Sequence, residues 1–167
     1  MNSLADLLIR YKAVEFGDFT LASGAKSRYY VDVKTAVTHP EFLAAIAREI
    51  AGRYTFEVVA GVAVGGVPLA VATALAANKP FAIIRAQEKD HGKKNPIIGE
   101  VTGKNVLLVE DVTTSGGSAL YGITMLRTAG ARADRVVTVV DREQGAETML
   151  KGQAIDLLAL VRVSEIL

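Results

Sequence analysis

Val106-Leu107-Leu108-Val109-Glu110-Asp111-Val112-Thr113-Thr114-Ser115-Gly116-Gly117-Ser118 is the stretch that decides the fold. Its four leading apolar residues make a buried strand, two adjacent carboxylates stand at the strand's end, and a loop of hydroxyls and glycines opens a helix. That loop offers several backbone N–H groups, three or four hydroxyl donors and a helix N-terminus, all of which favour a bound phosphate. The acidic pair cannot hold that phosphate. It suits sugar hydroxyls or a metal carried by the substrate, so the segment as a whole asks for a phosphorylated sugar.

On either side of it the chain alternates between strand-like and helix-like patterns. Val58 to Val62 and Phe81 to Ile84 read as short strands covered on both faces, and Arg135 to Val140 and Asp156 to Val161 as two more. Helices are expected over about 38–52, from Val67 to Ala77, from about Gly117 to Ala129 with Gly130 as left-handed cap, and near Glu143 to Leu150. In the helix at 38–52, Thr38 caps, Pro40 sits near the first turn and Glu41 closes a capping box, which makes His39 structural. Ser3 and Asp6 form a similar start before Leu4, Leu7 and Leu8. Apolar strands joined by helical crossovers imply an α/β domain with a mostly parallel sheet, and place the site at the carboxyl ends of its strands. Two segments break the alternation. Residues 16–34 hold four of the ten aromatics among turn residues and suggest a small antiparallel flap. Residues 85–99 form a long polar loop, and such a loop in a compact domain points to function or disorder.

Composition narrows the classes. In 167 residues, half are apolar, 19 Lys or Arg balance 18 Asp or Glu for a net +1, and there is no cysteine. One globular domain over residues 1–167 is expected, without disulfides or thiolate metal sites, and with no global reason to bind nucleic acid or a membrane. Val58 to Ala77 runs twenty residues without a charge, long enough to span a bilayer. Gly61, Gly65, Gly66 and Pro68 interrupt it, so it reads as strand, loop and buried helix, and a cytoplasmic protein is expected. Gly99 to Asn105 approaches a Walker loop but has only three residues between its glycines and ends in Asn. Ser115, His91 and Asp111 lack the Gly-x-Ser-x-Gly elbow of a hydrolase.

The strand, acidic pair and Thr-Thr-Ser-Gly-Gly-Ser loop resemble the phosphoribosyl-pyrophosphate (PRPP) motif of type I phosphoribosyltransferases. Arg85-Ala86-Gln87-Glu88-Lys89-Asp90-His91-Gly92 resembles the catalytic loop of the orotate phosphoribosyltransferases in particular. Phe16 to Gly24 with Lys26 to Tyr30 resembles that family's N-terminal hood, Gly61 to Pro68 its pyrophosphate loop, and Asp141-Arg142-Glu143-Gln144-Gly145 the segment whose Arg meets the orotate carboxylate. The likeness runs from about Asp6 to Gly145 and, with the short chain, looks like the archaeal branch. Three cations of many bacterial members are absent, with Ala22, Val64-Gly65 and Ala86 in their places, and those roles are not carried over.

The resemblance implies a type I phosphoribosyltransferase-like fold, a mostly parallel central sheet flanked by helices, with a hood over about 1–35 and a mobile catalytic loop over about 85–99. It implies transfer of a 5-phosphoribosyl group from PRPP to orotate, with magnesium brought by PRPP and no protein-held metal. Lys89, His91 and Asp111 are then the catalytic candidates. Arg85, Lys89, His91, Glu110, Asp111, Val112, Thr113, Thr114, Ser115, Gly116, Gly117 and Ser118 bind PRPP, and Thr114, Arg142 and Tyr30, with Val31, meet orotate. The family also implies a homodimer in which the 85–99 loop reaches the neighbouring active site. The rivals are a transferase for another nucleobase and a non-catalytic PRPP-sensing regulator. A regulator would be expected to carry a helix-turn-helix extension, for which the fifteen residues before Phe16 are too few.

Overall fold

The structure is a computed structural model and describes residues 3–86 and 95–167. Its centre is a six-stranded sheet in the order β5-β4-β3-β6-β7-β8. The strands are β3 (Val58–Val62), β4 (Phe81–Ile84), β5 (Ile97–Ile98), β6 (Val106–Thr113), β7 (Arg135–Asp141) and β8 (Asp156–Arg162). All pair in parallel except the two-residue edge strand β5, which runs antiparallel to β4 through Ile83–Ile98 and Ile84–Ile97.

Every residue of β3 is buried, and so are seven of the eight in β6, as expected for strands covered on both faces. Alternation along them feeds two cores. Val59, Leu107 and Val109 face one layer, made with Leu8 of α1 (Leu4–Arg10), Phe42, Ile46 and Ile50 of α3 (Pro40–Arg53) and Leu69 of α4 (Gly66–Ala77). Val58, Ala60, Val62 and Leu108 face the other, made with Ala119, Ile123 and Leu126 of α5 (Gly117–Thr128) and Leu150 of α6 (Ala146–Lys151). Phe42, Ile46 and Ile50 recur at helical spacing and are at most 1% exposed, worth about 1.5–3 kcal/mol each in apolar burial. α4 fills the uncharged window after β3, and no helix among the described residues is long and apolar enough to cross a membrane.

The antiparallel flap exists as β1 (Val14–Thr20) paired with β2 (Lys26–Val31), a two-stranded sheet separate from the main one. The expected hood over 1–35 thus divides, because α1 buries Leu8 completely in the main core and Val14 at the start of β1 joins it, while most of β1 and β2 is exposed or half-buried. The Ser3–Asp6 capping box forms. The box expected before α3 does not. His39 occupies the cap position without a side-chain hydrogen bond, Thr38 donates its hydroxyl to the Thr35 carbonyl instead, and the His39 ring rests 5.2 Å from that of Tyr11. A short helix, α2 (Val33–Ala36), intervenes after β2, with Asp32 accepting from the Thr35 N–H, so Thr38 closes the end of one helix rather than opening the next. α6 begins at Ala146 rather than Glu143, because Glu143 and Gly145 both take left-handed backbone in the preceding turn.

One contact between layers leaves no tolerance. A Cβ at Gly61 in β3 would overlap the Gly66 carbonyl at the start of α4, and a Cβ at Gly66 would stand 2.8 Å from the Val109 carbonyl of β6. α4 therefore touches strand backbone directly. Gly61→Ala is expected to lower the unfolding free energy by about 3 kcal/mol in urea titrations. Gly52→Ala, in the last turn of α3 with nothing within 4 Å of the added carbon, is expected to be neutral or to stabilise slightly, by about 0.5 kcal/mol.

Candidate active site

β6 runs four residues past Val109, so the acidic pair lies inside the strand rather than beyond it. Alternation then splits the pair. Glu110 faces α5, where it accepts a hydrogen bond from the Ser118 hydroxyl at 3.3 Å. Asp111 faces the other layer, where Lys34 of α2 donates to its Oδ2 at 2.8 Å. Both carboxylates are nearly buried, at 5% and 6% exposure. Burial, followed by the charge on Asp111, pushes the Glu110 carboxyl up from 4.5 to about 8 against the weaker pull of Ser118 and Lys34. Near neutral pH the site therefore holds a protonated Glu110 next to Asp111. The hydrogen bond to Asp111 raises the Lys34 ammonium above the ordinary lysine range, outweighing the opposing effect of burial.

After Thr113 the chain turns into α5 through Gly116, whose φ of 89° only glycine adopts without cost, and where an added Cβ would come within 2.8 Å of Met149. No side chain caps α5. Its first N–H groups face a small cavity of about 120 Å³ bounded by Glu110 and residues 112–119, a setting for an anion at a helix N-terminus. The structure thus brings Glu110 and Val112 to Ser118 around one cavity. Thr113 lines it but spends its hydroxyl on Asp141 Oδ1 at 3.0 Å, so fewer hydroxyls face the cavity than the composition of the loop suggests.

Arg142 follows β7 on the adjoining strand end. Its N–H donates to the Thr113 carbonyl at 2.9 Å, which ties the two loops together. The surface ion pair that an isolated Arg142 could make with its neighbours is not formed. Asp141 accepts from Thr113 and from the Glu143 N–H, while Glu143 accepts from the Ser164 N–H and hydroxyl. The guanidinium lies instead over the Tyr29 ring of the hood, 5.3 Å from its centroid, and its buried Nε has no hydrogen-bond partner among the described residues. Tyr30 alternates to the opposite face of β2, half exposed, with its ring 5.7 Å from that of Phe19. Tyr29 is therefore the aromatic that meets Arg142, a consequence of strand alternation that reading the Tyr29-Tyr30 pair alone could not resolve.

Arg85 ends β4. Its N–H donates to the Pro96 carbonyl and its own carbonyl accepts from the Tyr121 hydroxyl, and its Nε is buried without a partner among the described residues. Lys89 and His91, with most of the expected 85–99 loop, lie outside the described residues. Lys34 went unnoticed in the sequence, since nothing local marks it and its partner lies 77 positions away. Among the described residues no three carboxylate, histidine or cysteine side chains converge as a metal site.

A family profile for the phosphoribosyl transferase domain matches residues 32–154, which run from just after β2 to just past α6 and include all the residues that line the cavity. The orotate phosphoribosyltransferase of Methanocorpusculum labreanum is 66% identical over 167 residues, covering all of this chain and 99% of that protein. The chain belongs to the orotate phosphoribosyltransferases. Among solved members of that family, the enzyme from Aeropyrum pernix superposes with a TM-score of 0.81 at 31% identity, covering 98% of this chain and 95% of the other. The Mycobacterium tuberculosis orotate phosphoribosyltransferase in complex with PRPP gives 0.79 at 30% identity, covering 98% and 96%. Adenine phosphoribosyltransferase from Leishmania donovani shares the fold at a TM-score of 0.76 and 19% identity.

Glu110 offers a test of the electrostatics at this family site. It holds its proton more tightly folded than unfolded, so its contribution to stability falls as pH rises from 4.5 through about 8. Glu110→Gln is expected to gain stability relative to the parent protein as pH rises from 4.5 to about 8, the gain being complete above pH 8 and absent below 4.5, in urea titrations. Equal pH slopes for the two proteins would show that the buried carboxyl does not keep its proton.

Proposed function

We propose that the chain transfers the 5-phosphoribosyl group of PRPP to orotate, forming orotidine 5'-monophosphate and pyrophosphate in pyrimidine biosynthesis. The observation that carries this reading is the pairing of an uncapped helix N-terminus over a phosphate-sized cavity with Arg142 on the adjoining strand end, whose buried Nε has no hydrogen-bond partner among the described residues. A planar guanidinium fork suits a planar carboxylate.

Residues 112–118 grip the 5'-phosphate through backbone N–H groups and the Thr114 and Ser115 hydroxyls. The bond from the anomeric carbon to pyrophosphate breaks with its electron pair leaving on oxygen, and the orotate ring nitrogen, its proton lost to solvent, forms the new bond at that carbon. Positive charge develops on the ribose ring as this happens. Asp111, the carboxylate paired with Lys34, answers that charge, while Glu110 receives a ribose hydroxyl. Arg85, Lys89 and His91 neutralise the departing pyrophosphate. Arg142 and Thr114 orient orotate beneath β2, where Tyr30 and Val31 present main chain. Magnesium enters as part of the substrate; two carboxylates on opposite faces of one strand suit hydroxyl binding better than enclosing a metal. The working unit is a cytoplasmic homodimer in which residues 85–99 serve the neighbouring site.

Incubation with PRPP, magnesium and each of orotate, uracil, adenine, hypoxanthine and xanthine is expected to release pyrophosphate with orotate. Release with none rules out the enzyme, and release with a purine alone rules out orotate as substrate. Arg142→Ala is expected to raise the KM for orotate by about a hundredfold while the KM for PRPP changes by less than about threefold. Lys89→Ala is expected to lower kcat by about a hundredfold with an unchanged thermal midpoint, the separation of effects that a role confined to catalysis requires.

A further inference from the structure

The Gly61 to Pro68 loop that would face the pyrophosphate carries no cation, and Val64 at its tip is 71% exposed. A cation nevertheless reaches it from elsewhere. Gly65 lies so close to Asp111 that an added Cβ would stand 2.6–2.8 Å from the carboxylate atoms, and Lys34 Nζ is bound to that same carboxylate at 2.8 Å. Lys34, Asp111 and the Gly65 backbone therefore meet at one point. Lys34 arrives there because α2 follows the hood directly and is capped by Asp32, which aims the helix at the end of β6.

We propose that Lys34 binds the diphosphate of PRPP and of the product pyrophosphate, exchanging its contact with Asp111 for one with the anion when substrate arrives. This deepens the functional reading above and rests on it. The exchange is chemically balanced: the ribose hydroxyls donate to the Asp111 oxygens that Lys34 vacates, and the ammonium takes up phosphate oxygens beside the Gly65 backbone. The lysine side chain is 61% exposed on a flexible stem, so it can turn without disturbing the core. An ion pair with one exposed partner is weak enough to surrender to a polyanion. In the empty enzyme the same contact keeps Asp111 from standing as an uncompensated buried charge.

The test is calorimetric binding of magnesium pyrophosphate and, separately, of ribose 5-phosphate to the parent protein, Lys34→Met and Lys34→Arg, with pyrophosphate release from PRPP and orotate measured in parallel. Lys34→Met is expected to weaken pyrophosphate binding by about tenfold or more, the scale of one charged hydrogen bond, with ribose 5-phosphate changed by less than about twofold and Lys34→Arg restoring most of the loss. Unchanged pyrophosphate affinity in Lys34→Met, or no pyrophosphate binding by the parent, overturns the proposal. So does an equal loss for both ligands, which would mean that Lys34 only holds Asp111 in place. A parent protein that binds pyrophosphate through Lys34 but releases none from PRPP and orotate overturns the transferase reading and leaves the diphosphate site standing.

Discussion

The direct contact between β3 and the first turn of α4 is the constraint on which the rest of the molecule depends. With no side chain at Gly61 or Gly66, helix backbone lies on strand backbone, and the Gly65 peptide is carried to the Asp111 carboxylate of the neighbouring strand. The chain between the strand and the helix is then too short and too tightly held to wander. One packing decision thereby sets the floor of the site as well as the layer spacing, and bulk at either glycine would displace both.

The site's electrostatics follow from β6 continuing beyond its apolar run. Two consecutive acids in a strand must point to opposite faces, so they acquire different surroundings from the same backbone: one beside a hydroxyl under a helix, the other against an ammonium at a glycine loop. Burial holds the proton of the first for that reason, and on the proposed reaction the two groups would divide the chemistry of a sugar between them.

How much of this was legible in the sequence depended on whether the signal was local. The Val106 to Ser118 run, the β-branched stretch at Val58 and the Phe42, Ile46, Ile50 stripe each carry their own periodicity, and a mostly parallel sheet followed from the helical crossovers, while the strand order did not. Arg142 was legible as a candidate, but its freedom was not, because it depends on Glu143 being taken by Ser164 and Asp141 by Thr113. Strand β5 has only two residues and exists through its pairing with β4, so no pattern of its own announces it. Thr38 looked like a cap since the sequence shows a box but not the helix α2 that claims its hydroxyl. Lys34 lies wholly in tertiary space. What was missed consists of pairings between distant segments, where propensity has nothing to say.

The stacking of Arg142 on Tyr29 has a consequence for discrimination. The Tyr29 ring lies against the guanidinium, 5.3 Å from its carbon to the ring centroid, and the buried Nε edge has no hydrogen-bond partner among the described residues. A flat base with an in-plane carboxylate completes that edge. A base without one would seal the cavity over a stranded cation, and the energy of that mismatch falls on the wrong ligand rather than being gained by the right one. On the role proposed for Arg142, the hood would turn a single arginine into a filter that works by rejection, before any bond is broken.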